Sequence, residues 1–156
     1  MVNITILNKQ DAVKYTPKEK SIAIRITDKN SNFVTGFPYE RYIDVLELKF
    51  HDADPEYFFT ETLKKNLFSE EDTYKIFDFL KDKKIVNEVV VHCDYGHSRS
   101  VTVALFIAEN FLPQYDSELV IEDINRGIED GKYRINQYIY DILEKSFKKY
   151  LKECII

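Results

Sequence analysis

The sequence predicts an α/β domain, a mainly parallel sheet of four or five strands flanked by helices. Three observations carry this. Alternating apolar and polar residues are confined to the first third of the chain, while helix-period patterns fill the second half. Between them lies a short β-branched run, Val89–Val91, of the kind found in buried parallel strands. That run passes through a loop straight into an apolar helix, which makes one βα unit. With 156 residues and no linker, repeat or low-complexity stretch, the chain reads as a single domain, residues 1–156. That length buries a core without disulfide staples.

The elements follow in order. Val2–Leu7 alternates and reads as a strand, and Ser21–Thr27 alternates more cleanly still. Asp28–Pro38, rich in Asn, Ser, Gly and Pro, reads as a loop. Tyr42–Phe50 is a third strand candidate, apolar at Ile43, Val45, Leu46 and Leu48. His51–Pro55 breaks that pattern, and Glu56–Leu67 reads as a short helix within a long loop. Ser69 is an N-cap followed by Glu70 and Glu71, and Ile76, Phe77 and Leu80 recur at helical spacing, so Ser69–Lys83 is expected to be helical. The strand Glu88–Val91 leads to a loop, His92–Arg99, and a helix, Ser100–Leu112, closed by Pro113. Leu119–Asp130 is a further helix ended by Gly131, and Ile135–Leu151 a last amphipathic one.

Composition narrows the function. The net charge is −5, and no basic block appears, so a nucleic-acid binder is not expected. Lys148, Lys149 and Lys152 sit beside Glu144 and Glu153 and read as a solvated face. No apolar stretch is long enough to span a membrane, and Met1–Gln10 is not a signal peptide. The two cysteines, Cys93 and Cys154, are far apart, and no His or Cys cluster has metal-ligand spacing. The expectation is a cytoplasmic monomer that needs no metal and no cofactor, with Cys154 a bystander.

The chemistry is concentrated in the loop H-C-D-Y-G-H-S-R-S, His92 to Ser100. At the carboxyl end of a parallel strand, this is where ligands bind in α/β sheets. A cysteine attacks as the thiolate, which the N-terminus of the following helix favours over the thiol. The loop N–H groups of Asp94, Tyr95, Gly96, His97 and Ser98 can converge into a cradle for phosphate oxygens. Arg99 lies six positions after Cys93, so a curled loop returns its planar guanidinium to the same anion. Ser100 can donate to the sulfur, and His92 can brace the loop from behind.

His-Cys-x5-Arg-Ser resembles the signature loop of protein tyrosine phosphatases, and the small size looks most like their dual-specificity branch and its compact microbial relatives. The resemblance implies that fold, a cysteinyl-phosphate intermediate on Cys93, and a phosphorylated protein or small phosphate monoester as substrate. It also implies a general acid, an Asp on a loop preceding the signature. Here the candidates are Asp52, favoured by the Phe50-x-Asp52 pattern at a strand end, and Asp54, which also fits an Asp-Pro turn. Asn136 resembles the Asn that starts the last helix in dual-specificity enzymes, although Ile135 stands where Pro is usual. Tyr95 stands where Ala is common. Asp94 places an acid beside an anion site, tolerable if its side chain points outward, and unfavourable to a phosphoinositide.

His51 and His97 are further proton-donor candidates, better explained as rim residues. Tyr39, Phe58, Phe59 and Tyr115 are candidates for stacking on a phenyl ring. Two other functions fit a Cys loop of this kind: a phosphate-binding pseudophosphatase with little turnover, and a rhodanese-like sulfurtransferase. The Ser after the Arg and the upstream Asp favour the phosphatase. The low-molecular-weight phosphatase class places its Cys loop near the N-terminus and does not fit a loop at Cys93.

Overall fold

The computed structural model describes residues 1–53, 65–83 and 85–154, with Cys154 described by its backbone alone. Four strands form one all-parallel sheet: β1 (Asn3–Leu7), β2 (Ser21–Thr27), β3 (Asp44–Lys49) and β4 (Glu88–His92), in the spatial order β1-β4-β2-β3. Among the described residues five α-helices accompany them: α1 (Lys9–Lys14), α2 (Glu70–Lys81), α3 (Arg99–Phe111), α4 (Gln114–Glu129) and α5 (Gln137–Cys154), with a 3-10 turn at Tyr39–Arg41.

β2 and β4 are central and covered on both faces, which is why every residue of each is buried. The period of two then splits β2 between two cores. Ile22, Ile24 and Ile26 face the larger one, with Val89, Val91, Phe77, Phe106 and Leu143. Ala23 faces the smaller one, with Ala12 of α1, Phe37, Tyr42 and Val90. On the larger side α3 packs against β1, β4, α4 and α5, and α2 lies on β3 and α5. Phe77 is the hinge of an aromatic cluster there, its ring 5.1 Å from Phe147 and 5.8 Å from Phe106.

Helix ends follow local chemistry. Ser69 opens α2 with a reciprocal capping box: its Oγ accepts from Asp72 N, and its own N–H donates to Asp72 Oδ2 at 3.0 Å. Pro113, expected as a stop, is also the N-cap of α4, so that helix begins at Gln114 rather than Leu119. Gly131 follows α4 with φ +77°, the left-handed geometry that ends a helix. The strand and helix boundaries otherwise lie within three residues of those read off the sequence, and β2 matches at both ends. α1, six residues capped by Asn8, was not foreseen, because among its residues only Ala12 is buried. Among the described residues no helix is long and apolar enough to cross a membrane.

Candidate active site

The loop from Cys93 to Ser98 joins the end of β4 to the start of α3, beside the ends of β1 and β2. Gly96 is what lets it close. Its φ is +65°, and a Cβ there would sit 2.8 Å from the Asn8 amide nitrogen and 2.9 Å from the Leu7 carbonyl carbon, a backbone collision. The loop therefore rests directly on the end of β1.

This closure brings two donors onto the sulfur. The Gly96 N–H donates to Cys93 Sγ at 3.2 Å, and Ser100 Oγ lies 3.1 Å from it. Both stabilise an anionic sulfur, and Ser100 sits in the first turn of α3, whose N-terminal dipole acts in the same direction. Cys93 is 2 % exposed yet lines a cavity of about 540 Å³ with Asp52, Tyr95, His97, Ser98, Arg99 and Arg134.

Arg99 is buried and held by three bonds. Its Nη1 donates to Asp28 Oδ1 at 2.7 Å and to the Phe50 carbonyl at 2.9 Å, and its Nη2 donates to Asp94 Oδ2 at 3.3 Å. Of the five guanidinium N–H groups, Nε–H and one on Nη2 take no partner among the described residues. Both are left to donate to an anion in the cavity that Arg99 lines. Asp94 does not point outward, the orientation in which an acid here would be tolerable. Its carboxylate turns in between Thr27 Oγ1, at 2.9 Å, and Arg99, because both donors lie on the inner side of the loop.

Asp52 faces the same cavity. Its Oδ1 accepts from Ser98 Oγ at 3.1 Å and from Asn136 Nδ2 at 2.8 Å, and its Oδ2 accepts from Arg134 Nη2 at 3.1 Å. Asn136 also caps α5, accepting from Ile139 N at 3.1 Å, and its own N–H donates to Thr102 Oγ1 at 2.9 Å. Thr102 in turn donates to the Ser98 carbonyl at 2.8 Å. One polar chain thus ties the start of α5, the first turns of α3 and the Asp52 segment together. Asp54, Phe58 and Phe59 lie outside the described residues.

His92 lies behind the loop, 2 % exposed, its Nε2 accepting from Arg25 Nε at 3.0 Å. Burial and the Arg25 charge push its pKa down to about 4, against weaker opposing pulls from the Cys93 backbone, Asp94 and Glu47. It is a neutral brace and not a cationic partner for the sulfur. His97 Nδ1 donates to the Lys132 carbonyl at 2.6 Å, so the ring is anchored at the rim. His51 Nδ1 accepts from Lys29 N and sits outside the cavity lining. Tyr39 packs on Phe37 and bonds Arg25 and Glu47 behind the loop, and Tyr115 is an exposed residue outside the cavity lining. Tyr95, 83 % exposed, is the aromatic ring at the cavity mouth.

The site residues that sequence reasoning missed are Asp28, Arg134, Thr102 and Arg25. Asp28 and Arg134 lie in segments with no periodicity, where only tertiary structure assigns a partner. Arg25 did carry a signal, a charge in the middle of the cleanest alternating strand.

No family model matches the chain, and no curated protein matches it. Among solved structures the chain is similar to Tk-PTP, a protein tyrosine phosphatase crystallised in its active form. The TM-score is 0.54 at 15 % identity, covering 92 % of this chain and 91 % of that one. What the two share is the fold, a protein-tyrosine-phosphatase-like α/β domain.

Proposed function

We propose that this chain is a phosphatase of the protein tyrosine or dual-specificity type, hydrolysing phosphate monoesters through a cysteinyl-phosphate intermediate. The observation that supports it best is a single constellation. A sulfur with two hydrogen-bond donors shares one cavity with a half-free arginine fork and a carboxylate held by three donors.

In this reading the Cys93 thiolate attacks phosphorus, the S–P bond forms and the ester P–O bond breaks. Arg99 and the loop N–H groups hold the equatorial oxygens as charge redistributes over them. The leaving alkoxide or phenoxide takes a proton from Asp52. In the second step the Asp52 carboxylate takes a proton from water, the water oxygen bonds phosphorus, and the S–P bond breaks with Ser100 donating to the departing sulfur. Inorganic phosphate leaves and the thiolate is restored. The steps call on no metal and no cofactor. The substrate is a phosphorylated protein or a small phosphate monoester, and the place of action is the cytoplasm.

The test is hydrolysis of para-nitrophenyl phosphate against pH for the wild type, Cys93→Ser and Asp52→Asn. Cys93→Ser is expected to abolish turnover, and Asp52→Asn to remove the decline on the basic side, since no acid is left to deprotonate. A folded wild type that binds phosphate but does not hydrolyse the ester would point instead to a phosphate-recognition module. Sulfur transfer from thiosulfate would point to the rhodanese-like reading.

A further inference from the structure

We infer that Arg25 is a positioning residue for the nucleophile, fixing His92 as the tautomer that carries its hydrogen on Nδ1, beside the backbone of Cys93. The inference rests on the phosphatase reading for its purpose, but its geometry does not.

Arg25 occupies the middle of central strand β2 and is 1 % exposed. A buried guanidinium is costly unless its donors are met. Here they are met from four sides. Nη1 donates to Glu47 Oε2 at 2.9 Å and to the Tyr39 hydroxyl, Nη2 to the Val34 carbonyl at 3.1 Å, and Nε to His92 Nε2 at 3.0 Å. The rings of Phe37 and Phe33 lie 4.2 and 4.7 Å from its central carbon. Those rings and Glu47 account for holding the arginine. They do not account for the bond to His92.

That bond has a chemical consequence. A guanidinium only donates, so Nε2 must accept, and the one hydrogen of the neutral ring is confined to Nδ1. Among the described residues Nδ1 is buried and meets no hydrogen-bond partner, and the Cys93 backbone acts on the same ring. The groups that bear charge on this ring are Arg25 from β2, Glu47 from β3 and Asp94 from the loop. Arg25 is the one in direct contact, and it opposes a second proton. The ring therefore presents a fixed N–H beside the first residue of the loop at every pH at which the enzyme would work. A free imidazole would exchange both tautomer and charge across that range.

The experiment is nitrogen NMR of histidine-labelled protein, with His51→Gln and His97→Gln assigning the other two of the three histidines. In the wild type the His92 signals are expected to be those of the Nδ1–H tautomer and to stay unchanged from pH 5.5 to 8. Arg25→Met, which cannot donate, is expected to give a mixed tautomer. It should also shift the pH profile of Cys93 alkylation by iodoacetate by at least half a unit, with kcat reduced at least fivefold and KM little changed. An Nε2–H tautomer in the wild type overturns the inference, whether or not the variant folds. So does a folded Arg25→Met with unchanged tautomer and alkylation profile. A wild type with the expected tautomer but no phosphatase activity leaves this inference standing and removes the reading of function.

Discussion

Acidification removes stability through His92, and the amount follows from its surroundings. The ring titrates near 6.5 when exposed and near 4 in the folded protein, where burial and Arg25 disfavour the cation. Between those values the unfolded chain binds a proton that the folded chain refuses. Stability is then complete above about 6.5 and falls as the pH drops toward 4. The loss from this one group is about 2 kcal/mol at pH 5 and about 3 kcal/mol at pH 4. Against a total of about 5–15 kcal/mol for a domain, that is a large share. His92→Gln isolates it, because the Gln carbonyl still accepts from Arg25 and does not titrate. Urea unfolding of both proteins at pH 7, 6, 5 and 4.5 gives the difference directly, and carboxylates common to both cancel. The wild type is expected to lose about 2 kcal/mol relative to the variant between pH 7 and pH 5. A difference constant to within about 0.5 kcal/mol across that range would refute the reasoning.

Other substitutions have equally definite outcomes. Gly96→Ala combines a positive φ with a backbone collision at 2.8 Å, so unfolding measurements should show a loss of about 2 kcal/mol or more, and aryl phosphate hydrolysis should fall with it. Asn136→Ala removes the α5 cap, worth about 1 kcal/mol, and one of three donors on Asp52, so the melting temperature should drop and the basic side of the pH–rate profile should move. Asp94→Asn takes a negative charge away from the anion site while leaving an oxygen for Thr27. Inorganic phosphate should then inhibit about three- to tenfold more tightly, as measured by competition in the hydrolysis assay.

Much of the fold is legible in the sequence because it is written in local periodicities. Ser21–Thr27 alternates and is β2 residue for residue, and the cap at Ser69 marks the start of α2. The Val89–Val91 run marks β4 because a strand buried on both faces has no polar side to show. What was not legible lacked a period of its own. α1 is too short to display one, and Gln114–Glu118 hid behind a proline that serves two helices. The site divides the same way. Cys93, Arg99 and Ser100 are contiguous with the loop that brings them together, so their spacing alone foretells their meeting. Asp28, which holds Arg99, and Arg134, which holds Asp52, come from distant segments. Asp94 illustrates the limit: its position in the loop was plain, but the direction of its side chain depended on Thr27, far away in sequence.

The strand order also bears on how the chain is made. β2 and β3 are near neighbours in sequence and can pair soon after both have left the ribosome. β1, the earliest of the four strands in sequence, pairs only with β4 among the described residues. Asn3 pairs with Glu88, so that pairing waits until β4 has been made, a long loop closure for an edge strand. Gly96 rests on Leu7 and Asn8, so the shape of the loop around the sulfur depends on β1 being docked beside β4. Arg134 and Asn136 emerge later still. A nascent chain halted before them holds a cysteine loop and an Asp52 without two of its three holders.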